Sequence, residues 1–254
     1  MSAHPPIQRP FDYIFFDLGD TLIYFDGSPE VMTQASMALA CYLQKSLGHP
    51  LDEHHFVSQF GQRLRAYYQE READFIEDTT EYVLRSMLIE QGYPDVDPSH
   101  IRTALNEMYG ITQSHWHAEN DAIPTLRTLR AMGYHITLIS NAADAQDVQS
   151  LVDKAGLRPY LEFILISADV GIRKPHPRIF QLALEYWQAR PDQAVMVGDT
   201  LGADILGGLN AGIATIWITR RANTPENNDQ KDIIQPDAVV PRLREIPELL
   251  SCWR

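Results

Sequence analysis

The sequence predicts an α/β protein, a doubly wound parallel sheet interrupted by a block of helices. Three observations carry this reading. Short apolar runs ending at polar residues occur once near the start and repeatedly in the second half. Amphipathic stretches of helical period separate the later runs, and strand–helix alternation builds parallel sheets. Between the first run and the others, residues 28–110 show helical periodicity alone. The chain thus lays down one strand, leaves to build a helical module, and returns to finish the sheet. The expected division is a core of residues 1–23 and 113–254 and a helical module of residues 24–112.

Tyr13 to Phe16 is apolar and ends at an acid, as suits a buried central strand. The first helix runs from near Pro29 to Leu47, with Gly48 suited to the C′ position and Pro50 beyond it. The second begins near Asp52 and carries Phe56, Phe60 and Leu64 at four-residue spacing. The third runs from Asp78 or Thr79 through Tyr82, Val83 and Met87 to Gly92. The fourth opens with Asp97-Pro98, an N-cap followed by proline at N1, and buries Ile101, Leu105 and Met108. Four such helices form a small bundle of their own. From Ala122 the chain alternates. A helix through Leu126 and Leu129 ends at Gly133, and a strand spans Ile136 to Ile139. A helix through Val148 and Val152 ends at Gly156, and Phe163 to Ile166 is a strand. Pro177 to Trp187 is a helix, Ala194 to Val197 a strand, Ala203 to Asn210 a helix and Thr215 to Ile218 a strand. Ala238 to Val240 is one more short strand, and the polar, aperiodic stretch Arg220 to Asp237 reads as a surface loop.

The 254 residues are 44% hydrophobic, enough to bury a proper core, and the net charge is −13. That balance argues against a nucleic-acid partner, because phosphate backbones require clustered Lys and Arg. A phosphorylated substrate would therefore need local help from a metal or a few cations. Cys41 and Cys252 lack metal-ligand spacing, and a disulfide between them is not expected. The opening residues lack the apolar core of a signal peptide, and no apolar run is long enough to span a membrane. The expectation is a cytoplasmic protein without a membrane partner.

Four polar stretches stand out: Asp17-Leu18-Gly19-Asp20-Thr21, Ser140-Asn141, Lys174-Pro175, and Gly198-Asp199-Thr200-Leu201-Gly202-Ala203-Asp204. The first, second and fourth each follow a strand, and ligands of open parallel sheets bind outside the carboxyl ends of the strands. Residues far apart in sequence can converge there into one phosphate-handling site. A carboxylate such as Asp17 can attack phosphorus and divide one hard step into two. Asp17 and Asp199 offer the hard oxygen donors that magnesium favours. Lys174 would offset the repulsion between Asp17 and a phosphoryl group. Ser140 and the amides near Asn141 would donate hydrogen bonds to phosphate oxygens, and Asp204 would orient metal-bound water. Taken singly, Asp17 reads equally as a loop cap; the plainer readings of Ser140 as a helix cap, Asp204 as a solvent-facing acid and Lys174 as a surface lysine are disfavoured.

These residues, in this order, resemble the haloacid dehalogenase-like hydrolase superfamily over nearly the whole chain. Lys174-Pro175-His176-Pro177-Arg178-Ile179-Phe180 is close to a common form of that family's third motif. Pro236-Asp237-Ala238-Val239 and Ile246-Pro247-Glu248-Leu249-Leu250 also look typical. The resemblance implies a Rossmann-like core with a mobile helical cap between the first and second motifs. It implies magnesium-dependent hydrolysis of a small phosphorylated metabolite through an aspartyl phosphate on Asp17. The backbone carbonyl of Gly19 joins Asp17 and Asp199 as an implied metal ligand, and Thr21 ties down the loop after the first strand.

The chain departs from the family at Gly19, where its phosphatases usually carry a second Asp that protonates the leaving oxygen and then activates water. Asp20, one residue on, is the candidate substitute. His115 and His117, near the return to the sheet, are alternative proton sources, with surface or structural roles favoured. General acid–base help is worth roughly 10²–10⁴ in rate, so the expectation is a weak phosphatase with a long-lived phosphoenzyme. Two other readings follow. One is a catalytically impaired protein that binds a phosphorylated ligand or a partner. The other is a 2-haloacid dehalogenase, disfavoured because Gly198-Asp199 is kept. A cap-lysine route to phosphonate cleavage is disfavoured too, since Lys45 falls late in the first helix. Arg63, Arg65, Arg71 and Tyr67 are the cap residues considered for substrate choice.

Overall fold

The computed structural model describes residues 11–47 and 51–253. The leading ten residues, together with the expected helix-stop residues Gly48 and Pro50, lie outside that description. So does the side chain of Arg71.

In chain order, β1 (Tyr13–Phe16) and β2 (Ile23–Phe25) precede four helices, α1 (Pro29–Leu47), α2 (Glu53–Asp74), α3 (Thr80–Glu90) and α4 (Pro98–Gln113). β3 (Trp116–Ala118) brings the chain back. Then follow α5 (Ala122–Ala131), β4 (His135–Ser140), α6 (Ala145–Lys154), β5 (Phe163–Ile166), α7 (Ser167–Val170) and α8 (Pro177–Trp187). β6 (Ala194–Gly198) leads into a π-helical turn, Leu201–Ile205, which continues as α9 (Leu206–Asn210). β7 (Ala214–Ile218), α10 (Pro225–Gln230), β8 (Ala238–Val240) and α11 (Ile246–Cys252) complete the chain.

Six strands make one sheet in the order β5-β4-β1-β6-β7-β8. Every pairing in it is parallel. β1 lies in the middle, with Phe16 level with Leu138 on one side and Val197 on the other. The residues just beyond β1, β4 and β6 therefore emerge side by side, at the point where the strand order reverses. Side chains alternate across the sheet. Ile14 and Phe16 enter one apolar layer with Leu126 and Val195, while Phe15 enters the other with Ile139, Phe180 and Met196. Both faces are covered, as the near-continuous apolar strands require.

The helices α1 to α4 bury a separate apolar cluster that includes Leu39, Leu43, Phe56, Phe60, Leu84 and Leu105. Asp97 caps α4 by accepting from the Ser99 amide at 2.8 Å, with Pro98 behind it. Thr79 caps α3. The excursion begins and ends on β2 and β3, which pair antiparallel with Ile23 opposite Ala118. These three-residue strands are too short to show a period.

One sequence expectation needs correction. The stretch Arg220 to Asp237 is not all loop, because it contains α10. That helix has six residues, and its buried side chain is the polar Asn227, so no apolar stripe announces it. The turn after β6 likewise starts at Leu201 rather than Ala203. Cys41 and Cys252 are free. Among the described residues, no helix is long and apolar enough to cross a membrane.

Candidate active site

Asp17 stands one residue past the end of β1, its amide donating to the Val197 carbonyl at 2.9 Å. Its Oδ1 accepts from Lys174 Nζ at 2.5 Å. The same ammonium donates to Asp204 Oδ1 at 2.7 Å and to the Ile139 carbonyl at 2.7 Å. Lys174 is only 1% exposed, so all three donors of its ammonium are spent on buried oxygens. Asp204, also 1% exposed, accepts from the Thr200 amide through its other oxygen at 3.0 Å. It is not a solvent-facing acid. A Cβ on Gly198 would lie 2.2 Å from Asp204 Oδ2, so glycine there makes room for that carboxylate.

Asp199 is fixed from several directions. Thr21 Oγ1 donates to its Oδ1 at 3.1 Å. Its main-chain carbonyl accepts from Trp217 Nε1 at 2.7 Å and from Asn227 Nδ2 at 2.9 Å. Asn227 Oδ1 in turn accepts from the Leu201 amide at 2.8 Å. The short α10 thus braces the loop that presents Asp199. Sequence reading missed Asn227 and Trp217, and only the polar residue at a buried position could have pointed to Asn227.

The second stretch divides its labour. Ser140, buried, lines the cleft at the end of β4. It does not cap the next helix, because Asp144 caps α6. The Asn141 side chain grips the backbone of Lys174, accepting from its amide at 2.8 Å and donating to its carbonyl at 2.9 Å. Asn141 therefore positions the lysine.

Oxygens of Asp17, Asp199 and Asp204 lie within 4.8 Å of one another. Three carboxylates face one ammonium, so the cluster carries an excess of buried negative charge. Burial, opposed by Lys174 and reinforced by Asp204, pushes the Asp17 carboxyl up to about 7. Burial and then the fields of Asp17 and Asp204 push Asp199 up to about 8. Burial depresses Lys174, but Asp17 and Asp204 outweigh it and hold its pKa above the ordinary value. A hard divalent cation fits this donor set and would relieve the excess charge. Asp204 already serves Lys174 and the Thr200 amide, which leaves oxygens of Asp17 and Asp199 as the better placed donors.

The cleft around this cluster encloses about 800 Å³. Gly19 and Asp20 line one side and Thr224, Glu226 and Gln230 of the α10 region another. Asp20 is exposed and takes a left-handed φ of 54°. Burial on its inner side raises its carboxyl, against the pull of Arg221 and with help from Glu119.

Among the described side chains, the helical module reaches this cleft through Phe75, and Arg173 lines it from the core. The segment around Phe75 is docked to the core. Ile76 bridges Ile172, the Glu77 amide donates to Gly171, and the Arg173 amide donates to Phe75. Arg63 is not in the cleft but pairs with Glu90 on the module's surface. Arg65 is not among the cleft residues either. Tyr67 is buried and donates to Glu77 at 2.8 Å. His115 and His117 both face Asp26, at 3.1 and 3.0 Å, away from the cleft residues. Lys45 is exposed at the end of α1.

A central-strand aspartate facing a buried lysine and two further acids, beneath an inserted helical module, defines a Rossmann-like hydrolase core. The family model of haloacid dehalogenase-like hydrolases matches residues 11–212, and the chain belongs to that family. It is 24% identical over 237 residues to a glyceraldehyde 3-phosphate phosphatase of Methanopyrus kandleri, covering 93% of this chain and 96% of that one. It is 37% identical over 131 residues to the pyrimidine 5′-nucleotidase YjjG of Escherichia coli, covering 51% and 55%. Among solved structures, a 2-haloacid dehalogenase from Pseudomonas syringae is similar with a TM-score of 0.66 and 25% identity, covering 96% of this chain and all of that one.

Proposed function

We propose that the chain is a magnesium-dependent phosphatase of small phosphorylated metabolites, with residues 24–112 as its cap and Asp17 as its nucleophile. The observation that carries this reading is the buried junction of Asp17, Lys174, Asp199 and Asp204 at the carboxyl end of the central strand. Magnesium, held by Asp17, Asp199 and the Gly19 carbonyl, would neutralise phosphoryl charge when bound. Lys174 holds one oxygen of Asp17 and leaves the other to attack phosphorus. As that oxygen–phosphorus bond forms, the bond to the leaving oxygen breaks. Water then attacks phosphorus, releasing phosphate and restoring the carboxylate. Ser140 and the Asn141 amide hold phosphate oxygens, since the next amide, of Ala142, already donates to Ser167 Oγ, and Asp204 keeps Lys174 aimed at Asp17.

Gly19 cannot protonate the leaving group. Asp20 is the acid that lines the cleft beside it, and its raised pKa suits a proton donor. A Cβ on Gly19 would meet the Trp116 ring at 3.7 Å, an ordinary contact, so a side chain can begin there without a clash. The test is hydrolysis of acyl, aryl and sugar phosphates with and without magnesium. Gly19→Asp should speed turnover of sugar phosphates by about 10² or more, and Asp20→Asn should slow it. A folded, metal-binding Gly19→Asp protein that is no faster would refute the acid gap. Tight vanadate binding with no hydrolysis of any ester would favour the impaired binding protein.

A further inference from the structure

A second cavity, of about 470 Å³, lies where α1, α2 and α4 face β2, β3 and the turn after β4. Four aromatic side chains stand in its wall: Phe25, Tyr68, Tyr109 and Trp116. Its polar side carries Asp144 and Asp147, and no Lys or Arg is among the described residues that line it. Asp144 is already committed, accepting from Arg102 at 2.7 Å and capping α6. Asp147 accepts from Gln113 at 2.8 Å through one oxygen, and its other oxygen is available to a ligand donor.

This cavity neighbours the catalytic cleft at two places. Trp116 is one of its walls, and the same ring is what a side chain at Gly19 would touch. Ser140 and Asn141 line the cleft, and the next two residues of the same turn, Ala142 and Ala143, line the cavity. With glycine at position 19, a Cβ there would meet, beyond its chain neighbours and among the described residues, the Trp116 ring edge alone within 4 Å. In the bound ester, before transfer to Asp17, the group on the leaving oxygen can extend over Gly19 and along this turn.

We propose that this aromatic cavity receives the leaving group of the phosphate ester, and that the group it selects is an uncharged aromatic alcohol. This rests on the phosphatase reading of the cleft. Rings stack favourably on aromatic walls. A second phosphate or a carboxylate would enter beside Asp147 with no lysine or arginine among the described lining residues to balance it, and Arg102 behind them is already paired with Asp144. Esters whose alcohol carries a second anionic group are therefore excluded, and Asp147 rewards a hydroxyl or N–H donor on the ring.

The test has two arms. In the first, saturation-transfer NMR measures binding of benzyl alcohol, with glycerol as control, to the magnesium-free protein and to Ser36→Phe and Tyr68→Ala. Both positions lie on the wall and are partly exposed, so folding is spared. The expected result is saturable benzyl alcohol binding, weakened about fivefold or more in each variant, and none for glycerol. Absence of saturable binding, or binding indifferent to both variants, overturns the proposal. In the second arm, kcat/KM is compared for benzyl phosphate and glycerol phosphate with magnesium. Both are alkyl leaving groups, so chemistry is matched. The ratio should favour benzyl phosphate and fall about tenfold in Ser36→Phe, and a ratio that does not move overturns the proposal. If neither ester is hydrolysed, the phosphatase reading fails, and the cavity is judged on the alcohol binding alone.

Discussion

The sheet's carboxyl edge and the helical module are both well buried, yet they are held together by opposite means. At the edge, four charged side chains are buried, none more than 9% exposed, and are satisfied by one another, by main-chain groups and by the Thr21 hydroxyl. In the module, Leu39, Phe56, Phe60, Leu84 and Leu105 form an apolar cluster, and the buried acid Glu77 stands only where the module docks on the core. The difference teaches where chemistry and selectivity reside. Buried charge is costly unless every partner is present, so it persists where a reaction uses it. Apolar packing tolerates exchange, so it can be reshaped around different ligands.

The comparison can be broken most sharply at Asp17. Asp17→Asn keeps the shape and removes the proposed nucleophile, and turnover should fall by about 10³-fold or more in steady-state assays. Residual hydrolysis near the wild-type rate would move the chemistry elsewhere. Next comes Lys174→Ala, which leaves Asp17 and Asp204 buried without their cation. Urea denaturation should register a loss of about 3–5 kcal/mol, partly recovered by magnesium. A loss under 1 kcal/mol would mean that the edge is held as loosely as a surface pair. In the module, Leu84→Ala opens a hole at a side chain with no exposure, and should destabilise by about 2–5 kcal/mol. Yet kcat for a small acyl phosphate should stay within about twofold below the melting range, because the proposed hydrolytic groups lie in the core. If kcat collapsed in the folded variant, the division of labour would fail.

The smallest effect tests the seam between the two regions. Burial, against Gln113 and Arg102 and with Asp144, pushes the Asp147 carboxyl from 3.8 up to about 6. The folded chain therefore keeps a proton that the unfolded chain releases, and this contribution to stability is lost as pH rises from about 4 through 6. Asp147→Asn should flatten that decline in denaturation curves measured across the window. An unchanged slope would place the titration elsewhere.

Much of this architecture is legible in the residues. Parallel strands buried on both faces read as apolar runs, so Tyr13 to Phe16 and Phe163 to Ile166 are found to the residue. The helices α3 and α4 declare their starts through Thr79 and through Asp97-Pro98. What escapes is short or polar. β2 and β3 have three residues each, and α10 buries an asparagine rather than a leucine. For the site, the four motif stretches are visible, but what braces them is not. Asn227, Trp217 and Asn141 act through main-chain partners up to 33 residues away, and no spacing rule encodes such contacts. The arginines of α2 show the converse. Their charge draws notice, but Arg63 spends it on Glu90 at the surface, while the uncharged Phe75 reaches the cleft.

The pairing of β2 with β3 has a consequence for how such a chain can change. Asp26 donates its amide to the His115 carbonyl at 2.9 Å, so the doorway out of the sheet and the doorway back are the same opening. Whatever is hung from that doorway, its two ends are already tied. Each doubling of the excursion's length then adds only about 0.6 kcal/mol of closure entropy. A lineage could trade one lid for a larger or smaller one, and with it one diet for another, without asking the catalytic floor to move.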